Sequence, residues 1–164
     1  MKKVLLTLAF GSLFAVSCSS VKKAESAQTS RAEFLKMKGD WEITSVNYDK
    51  GFQIKPFDEG ADAQCFVGSH WRLIPNNYSG AYTIKGGGNC PTVTQPIKFE
   101  VTRDNEFKFK KLVADTKAKN VTAGYILQIE KQDTDNFTLV QSVPFEGNMI
   151  KVYYNFVRTG MEQK

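Results

Sequence analysis

The chain has 164 residues, 41% hydrophobic and 24% charged, the size and balance of one globular domain with its own core. Its formal net charge is +5, and Lys2 and Lys3 of a leader-like segment supply two of those charges. The remaining +3 is too mild to argue for a nucleic-acid surface. Twelve Phe, six Tyr and two Trp point instead to an interior built from rings.

Lys2 and Lys3 precede a nearly uninterrupted apolar or small run from Val4 to Val16. A basic start, an apolar stretch of this length and small residues at its end describe a secretory signal peptide, and the run is short for a permanent membrane span. Ala15 and Ser17 fit the small-x-small rule, with cleavage before Cys18. The stretch "FAVSC" also resembles the lipobox of bacterial lipoproteins, in which the cysteine is lipid-modified. Ala15 stands where that motif usually has Leu. Both peptidases leave Cys18 first; they differ in whether it carries acyl chains such as palmitate. Several chains on one residue anchor stably, at roughly 0.8 kcal/mol per buried methylene. A spare thiol is awkward in an oxidising compartment, which favours acylation of Cys18. The polar "SSVKKAESAQTS" that follows reads as a flexible tether. Residues 1–17 are therefore expected as a signal peptide, 18–29 as a tether and 30–164 as the folded domain.

Ser30 and Glu33 form a capping-box pattern that starts a short helix through Met37. Beyond it, period-two alternation dominates. Eight strands are expected: Trp41–Tyr48, His70–Ile74, Ser79–Lys85, Ile97–Arg103, Glu106–Leu112, Ala123–Gln132, Asn136–Ser142 and Met149–Arg158. Turn signals such as "PNNYSG", "RDNE", "KQDTDN" and "PFEGN" link them, so neighbours are antiparallel. A hairpin turn centred between Asn77 and Tyr78 places Cys65 opposite Cys90, which makes a disulfide between them plausible. Two cysteines and the lone His70 lack the paired spacing of a zinc site, so no metal is expected.

An eight-stranded meander removes its exposed edges by closing into an antiparallel up-and-down β-barrel. Parity points Phe99, Phe107, Phe109, Tyr125, Phe137, Tyr154, Phe156 and Arg158 inward. Lys98, Glu100, Lys108 and Lys110 face out. The basic run holding Lys108, Lys110, Lys111, Lys117 and Lys119 reads as a solvated outer face of strand five and its loop; proximity to anionic headgroups is the alternative.

Gly39-Asp40-Trp41 opens the first strand and Arg158 ends the last. This resembles the lipocalin family, with its Gly-x-Trp motif and an Arg packed across that Trp at the closed end of an eight-stranded barrel. The resemblance implies that Gly39, Trp41 and Arg158 form the barrel base, with a cation–π pair between Trp41 and Arg158. The family's long C-terminal helix has no counterpart in "TGMEQK". The whole is most similar to bacterial lipocalin-like lipoproteins. That implies the bacterial cell envelope, with a lipid anchor at the outer membrane facing the periplasm, because no acidic run follows Cys18.

Two functions stay open. In the first, the inward Phe99, Phe107, Phe109, Tyr125, Phe137 and Tyr154 surround a small hydrophobic or amphipathic ligand. In the second, those rings fill the lumen and the protein is an interaction module for an envelope protein partner. An eight-stranded barrel accommodates either. The long loop "DKGFQIKPFDEGADAQ", with Phe52, Ile54 and Phe57, is a candidate lid that serves both. An enzyme is not expected. His70 alternates with Trp71 as a wall residue, no Gly-x-Ser-x-Gly occurs, and "KGGGNC" lacks the ending of a phosphate loop. Neither a cofactor nor a nucleic acid is expected, and the protein is expected to be a monomer whose partners are the membrane and a small ligand.

Overall fold

The computed structural model describes residues 31–49, 51–113, 121 and 123–160. The expected signal peptide, Cys18, the tether, Ser30, Lys117 and Lys119 lie outside the described residues. The domain is a closed antiparallel barrel of eight strands in sequence order. They are β1 (Gly39–Asn47), β2 (His70–Ile74), β3 (Ser79–Gly87), β4 (Cys90–Val101), β5 (Glu106–Lys111), β6 (Tyr125–Gln132), β7 (Asn136–Phe145) and β8 (Asn148–Gly160). β1 pairs with β8 to complete the ring, which leaves no sheet edge along the wall. A helical turn over residues 31–36 precedes β1.

Eight expected strands are present, and the largest difference lies in the β3–β4 hairpin. β4 begins at Cys90, seven residues before the Ile97 expected from alternation. In its first half, "CPTVTQP", Val93 is the one branched apolar residue, so no alternation shows although Val93 packs against the core. Pairing with β3 from Gly87↔Cys90 to Ser79↔Lys98 holds it in the sheet where side-chain pattern gives no signal. The β2–β3 register also differs. A turn centred between Asn77 and Tyr78 would set His70 opposite Lys85, but His70 lies opposite Thr83. A 3-10 turn at Pro75–Asn77, closed by Tyr78 at φ 57°, shortens the link to the four residues 75–78 and moves the hairpin centre back by one.

Alternation means that one end of the barrel carries the helix and the β2–β3, β4–β5 and β6–β7 turns. That end is closed. Phe34 sits under it with ring centroids 5.5 Å from both Tyr78 and Phe99. Gln132 Nε2 donates to the Glu33 carbonyl at 2.6 Å. Trp41 is fully buried and its Nε1 donates to the Met37 carbonyl at 2.9 Å. The Arg158 guanidinium lies 4.1 Å from the Trp41 ring centroid. Its Nη1, Nη2 and Nε donate to the carbonyls of Lys38, Lys36 and Thr134 at 2.6, 2.8 and 2.7 Å. One side chain thus caps the orphan carbonyls of the helical turn and ties them to the β6–β7 turn.

The glycine of Gly-x-Trp has a physical reason here. A Cβ on Gly39 would sit 2.5 Å from Arg158 Nη1 and 2.8 Å from the Gly160 carbonyl oxygen, and its φ is +137°. Only glycine leaves room for the guanidinium at that backbone conformation. Above this base, rings stack upward. Trp41 meets Phe137 edge-on at 4.6 Å, Phe137 stacks on Phe156 at 4.2 Å, and Trp71 lies 5.4 Å from Phe156 and 4.6 Å from Tyr82. Such pairs add about 0.5–1.5 kcal/mol each beyond their burial.

Candidate functional site

The open end is shaped by residues 48–49 and 51–69, between β1 and β2. Their path is set by local chemistry. Asp49 Oδ1 accepts from the Gly51 N–H at 3.0 Å, an Asx turn. Pro56 presets φ for a 3-10 turn at Pro56–Asp58. Asp62 caps a second at Ala63–Phe66, accepting from the Gln64 N–H at 2.9 Å and from the Tyr48 hydroxyl at 3.1 Å. The Ala63 N–H donates to the Ile54 carbonyl at 2.7 Å, folding the two halves together.

This path drives two rings into the barrel. Phe57 is 3% exposed and Phe66 fully buried. Phe57 touches Phe66, Phe109, Tyr125 and Tyr154, with centroids 5.3, 5.1, 5.4 and 5.6 Å away. Phe66 reaches Tyr82 and Tyr154 at 5.8 and 6.3 Å. The mouth is therefore closed by rings from the loop packed against rings of β3, β5, β6 and β8. Phe57 holds φ 59°, ψ 25°, a left-handed conformation that costs a non-glycine residue about 1–2 kcal/mol.

Polar contacts hold that conformation. Lys111, the last residue of β5, donates Nζ to the Phe57 carbonyl at 2.9 Å and pairs with Glu59 Oε1 at 2.8 Å. The Tyr82 hydroxyl donates to the same Glu59 oxygen. The Glu59 side chain is 7% exposed and that of Lys111 21%. Burial, then the bond to Glu59, pushes the Tyr82 hydroxyl far above the ordinary tyrosine value, so it stays a donor. Burial likewise raises Tyr154, whose hydroxyl donates to Gln141 Oε1 at 2.9 Å.

The Cys65–Cys90 disulfide is formed, with a Cα–Cα distance of 5.4 Å. Its geometry is not that of a hairpin end. Cys65 lies in the second 3-10 turn and Cys90 starts β4 opposite Gly87. The bond therefore pins the loop carrying Phe66 to the β3–β4 corner of the mouth.

Above the mouth, β7 and β8 run on as a two-stranded ribbon. β6 pairs with β7 only as far as Val140, and β1 with β8 only as far as Tyr153, whereas β7 and β8 pair to Phe145↔Asn148. Pro144 removes a donor from the free edge of the ribbon. Its inner side meets the loop, with Phe52 4.8 Å from Phe145. Crevices of about 360 and 450 Å³ flank that contact and share Phe52, Phe145 and Ile150 in their linings.

Of the expected ligand-facing residues, Phe99, Phe107, Phe109, Phe137 and Tyr154 are buried inward, and Tyr125 is half-buried at the mouth. They form no single chamber: Phe137 belongs to the base, and Phe99 and Phe107 stack at 5.3 Å in the wall near it. In the lid, Phe57 and Ile54 are buried and Phe52 is half-buried. His70 is a half-exposed wall residue, its Nε2 3.5 Å from Asp40 Oδ1. Among the described residues no three His, Cys, Asp or Glu side chains converge on a metal-sized site.

Lys111 corrects the reading of the basic run. It does not share the outer face with Lys108 and Lys110 but turns into the mouth. Its parity with Phe107 and Phe109 is the signal that marks it. Glu59, Phe66 and Tyr82 were not among the expected site residues; Tyr82 shares the inward parity of Ile84, and nothing periodic marks the other two.

No family model matches the sequence, and no curated protein matches it. Among solved structures, a complex of bovine odorant binding protein with a selenium-containing odorant aligns with a TM-score of 0.43 and 12% identity, over 79% of this chain and 74% of that one. A deswapped triple mutant of bovine odorant binding protein aligns with a TM-score of 0.40 and 12% identity, over 75% of this chain and 74% of that one. At these values the comparison adds nothing to the barrel already described.

Proposed function

We propose that the protein is a lipocalin-like binder of a small apolar or amphipathic molecule, tethered to the bacterial envelope through an acylated Cys18. The observation that carries the reading is the origin of the mouth's filling: Phe57 comes from a loop, not from the wall. A ring supplied by a loop leaves when the loop lifts, and the wall rings behind it then line a chamber open to solvent. The upward order of the barrel supports this. Base rings are fixed by strand pairing, while the mouth ring sits at a strained φ and is held there by the contacts of Lys111 and Tyr82 with Phe57 and Glu59.

Native mass spectrometry of protein purified without detergent, together with titration of a neutral apolar fluorophore such as N-phenyl-1-naphthylamine, tests the binder. Expected are a bound small molecule or saturable fluorescence, both increased by Phe57→Ala. Absence of both in wild type and variant overturns the reading. Intact-mass analysis of the mature chain tests the anchor, and an unmodified Cys18 overturns it.

One observation favours the interaction module. Met149 on the outer face of the projecting ribbon, away from the Phe52–Phe145 contact, is 60% exposed. Met149→Ser would leave fluorophore binding intact but weaken a partner that docks on that outer face.

A further inference from the structure

Resting on the binder reading above, the chemistry of the plug goes one step further and names a ligand class. The loop presents two groups to the barrel: the Phe57 ring and, two residues on, the Glu59 carboxylate. The ring is received by rings. Phe66, Phe109 and Tyr125 meet it edge-on, at interplanar angles of 90°, 72° and 74°. The carboxylate is received by two donors from the wall, Lys111 Nζ of β5 and the Tyr82 hydroxyl of β3. Both donors belong to the barrel and stay when the loop lifts.

We infer that Phe57 and Glu59 are an internal stand-in for the ligand, and that the mouth takes an aromatic carboxylate whose ring replaces Phe57 and whose carboxylate replaces Glu59 between Tyr82 and Lys111. A neutral apolar ligand would leave the Lys111 charge unpaired beside rings, which is costly. A cationic ligand would add a like charge there. An anion restores both bonds that Glu59 gives up. Displacement is an exchange of one carboxylate for another, so the charge count of the mouth is unchanged apart from the Glu59 carboxylate moving into water.

Calorimetric titration at neutral pH compares three matched probes, 4-phenylbutyrate, 4-phenylbutanol and 4-phenylbutylamine. They are measured on wild type, on Phe57→Ala with Glu59→Gln, and on each background with Lys111→Met added. In the variant without the stand-in, the acid is expected to bind at least ~10-fold tighter than to wild type. It is also expected to bind ~10-fold tighter than the alcohol, about 1.4 kcal/mol, with the amine weakest. Lys111→Met brings acid and alcohol to parity. If the double variant fails to fold, by circular dichroism, the acid-over-alcohol preference of wild type and its loss in Lys111→Met carry the same test. Equal binding of acid and alcohol, or a preference for the amine, overturns the carboxylate assignment and leaves the binder standing. No binding of any probe to any folded variant overturns the binder and this inference with it.

Discussion

Arg158 is the side chain on which the closed end depends most, and its removal has a cost that follows from its contacts. Arg158→Ala deletes three charge-assisted bonds, to the carbonyls of Lys36, Lys38 and Thr134, and the stack on Trp41. Bonds to a charged group contribute about 1.5–3 kcal/mol each, and a desolvated cation–π contact up to about 2. The simple total overstates the loss. The Lys36 and Thr134 carbonyls lie near solvent, so water takes over there once the side chain is gone. The Lys38 bond is partly buried and Trp41 is fully buried, so those two contributions are lost almost whole. A destabilisation of about 3–4 kcal/mol results. With a urea m-value of about 2 kcal/mol/M, the unfolding midpoint falls by about 2 M. Arg158→Lys keeps the charge, but an ammonium serves one carbonyl at a time and stacks poorly; it should recover about 1 kcal/mol. Urea unfolding followed by Trp fluorescence and far-ultraviolet circular dichroism gives both numbers, provided the two probes coincide. An alanine variant within 1 kcal/mol of wild type, or a lysine variant equal to it, refutes the reasoning.

Gly39→Ala should cost about 2–4 kcal/mol by pushing Arg158 off Trp41, read as a lower melting temperature with an altered near-ultraviolet spectrum; an unchanged spectrum rejects the mechanism. Cys65→Ser with Cys90→Ser should cost roughly 3–4 kcal/mol from a crosslink spanning 25 residues, and should expose the segment 48–69 to limited proteolysis before the barrel unfolds. At the β6–β7 turn, the Asp135 and Asn136 N–H groups hold the Asp133 carboxyl below the usual carboxylate range. Its folded pKa lies under its unfolded one, so its contribution is present above the unfolded value of about 4 and fades as pH falls below it. The stability gap between wild type and Asp133→Asn should shrink from pH 6 towards pH 2, and a gap independent of pH would contradict this.

What was legible in the sequence follows physical period. Strand alternation is local, so Ile97, Phe99 and Val101 reveal a wall whatever happens elsewhere in the chain. The base was legible for a different reason: Gly39, Trp41 and Arg158 resemble a family motif, and the geometry gives that motif a physical basis in the space Gly39 leaves for Arg158 over Trp41. The disulfide pairing was reached through a register that does not hold, since His70 pairs with Thr83 and Cys65 is not on a strand. It was nonetheless the pairing left to two cysteines in one small domain once Cys18 is set aside. The mouth was not legible. Phe57 and Phe66 enter it through a left-handed residue and two 3-10 turns, whose path depends on the completed barrel beneath. Glu59 has meaning only beside Lys111 and Tyr82, far away in sequence. Lys111 carried a signal in its parity with Phe109, hidden because the neighbouring lysines do face out.

The two functions left open by the sequence differ in one magnitude, the free energy of lifting the loop. Exposing one Phe costs about 1.5–3 kcal/mol, and separating a partly buried ion pair adds to that, while release of the strained Phe57 conformation offsets about 1–2 kcal/mol. A net closure near 3 kcal/mol weakens apparent affinity by about two orders of magnitude, because only the open fraction binds. A binder tolerates that. A closure near 8 kcal/mol would cost almost six orders and leave a nanomolar ligand with millimolar affinity, which is a filled barrel in practice. The base, held by Arg158 and by pairing of β1 with β8, belongs to the second regime whatever the mouth does. The mouth is held by the Phe57 and Phe66 rings, by the Lys111–Glu59 pair with the bonds from Lys111 to the Phe57 carbonyl and from Tyr82 to Glu59, and by a disulfide that restricts the Phe66 end of the loop more than the Phe57 end. Lifting only the Phe57 end, with Phe66 still pinned by the disulfide, exposes one ring and separates one ion pair, so its closure energy falls toward the lower figure.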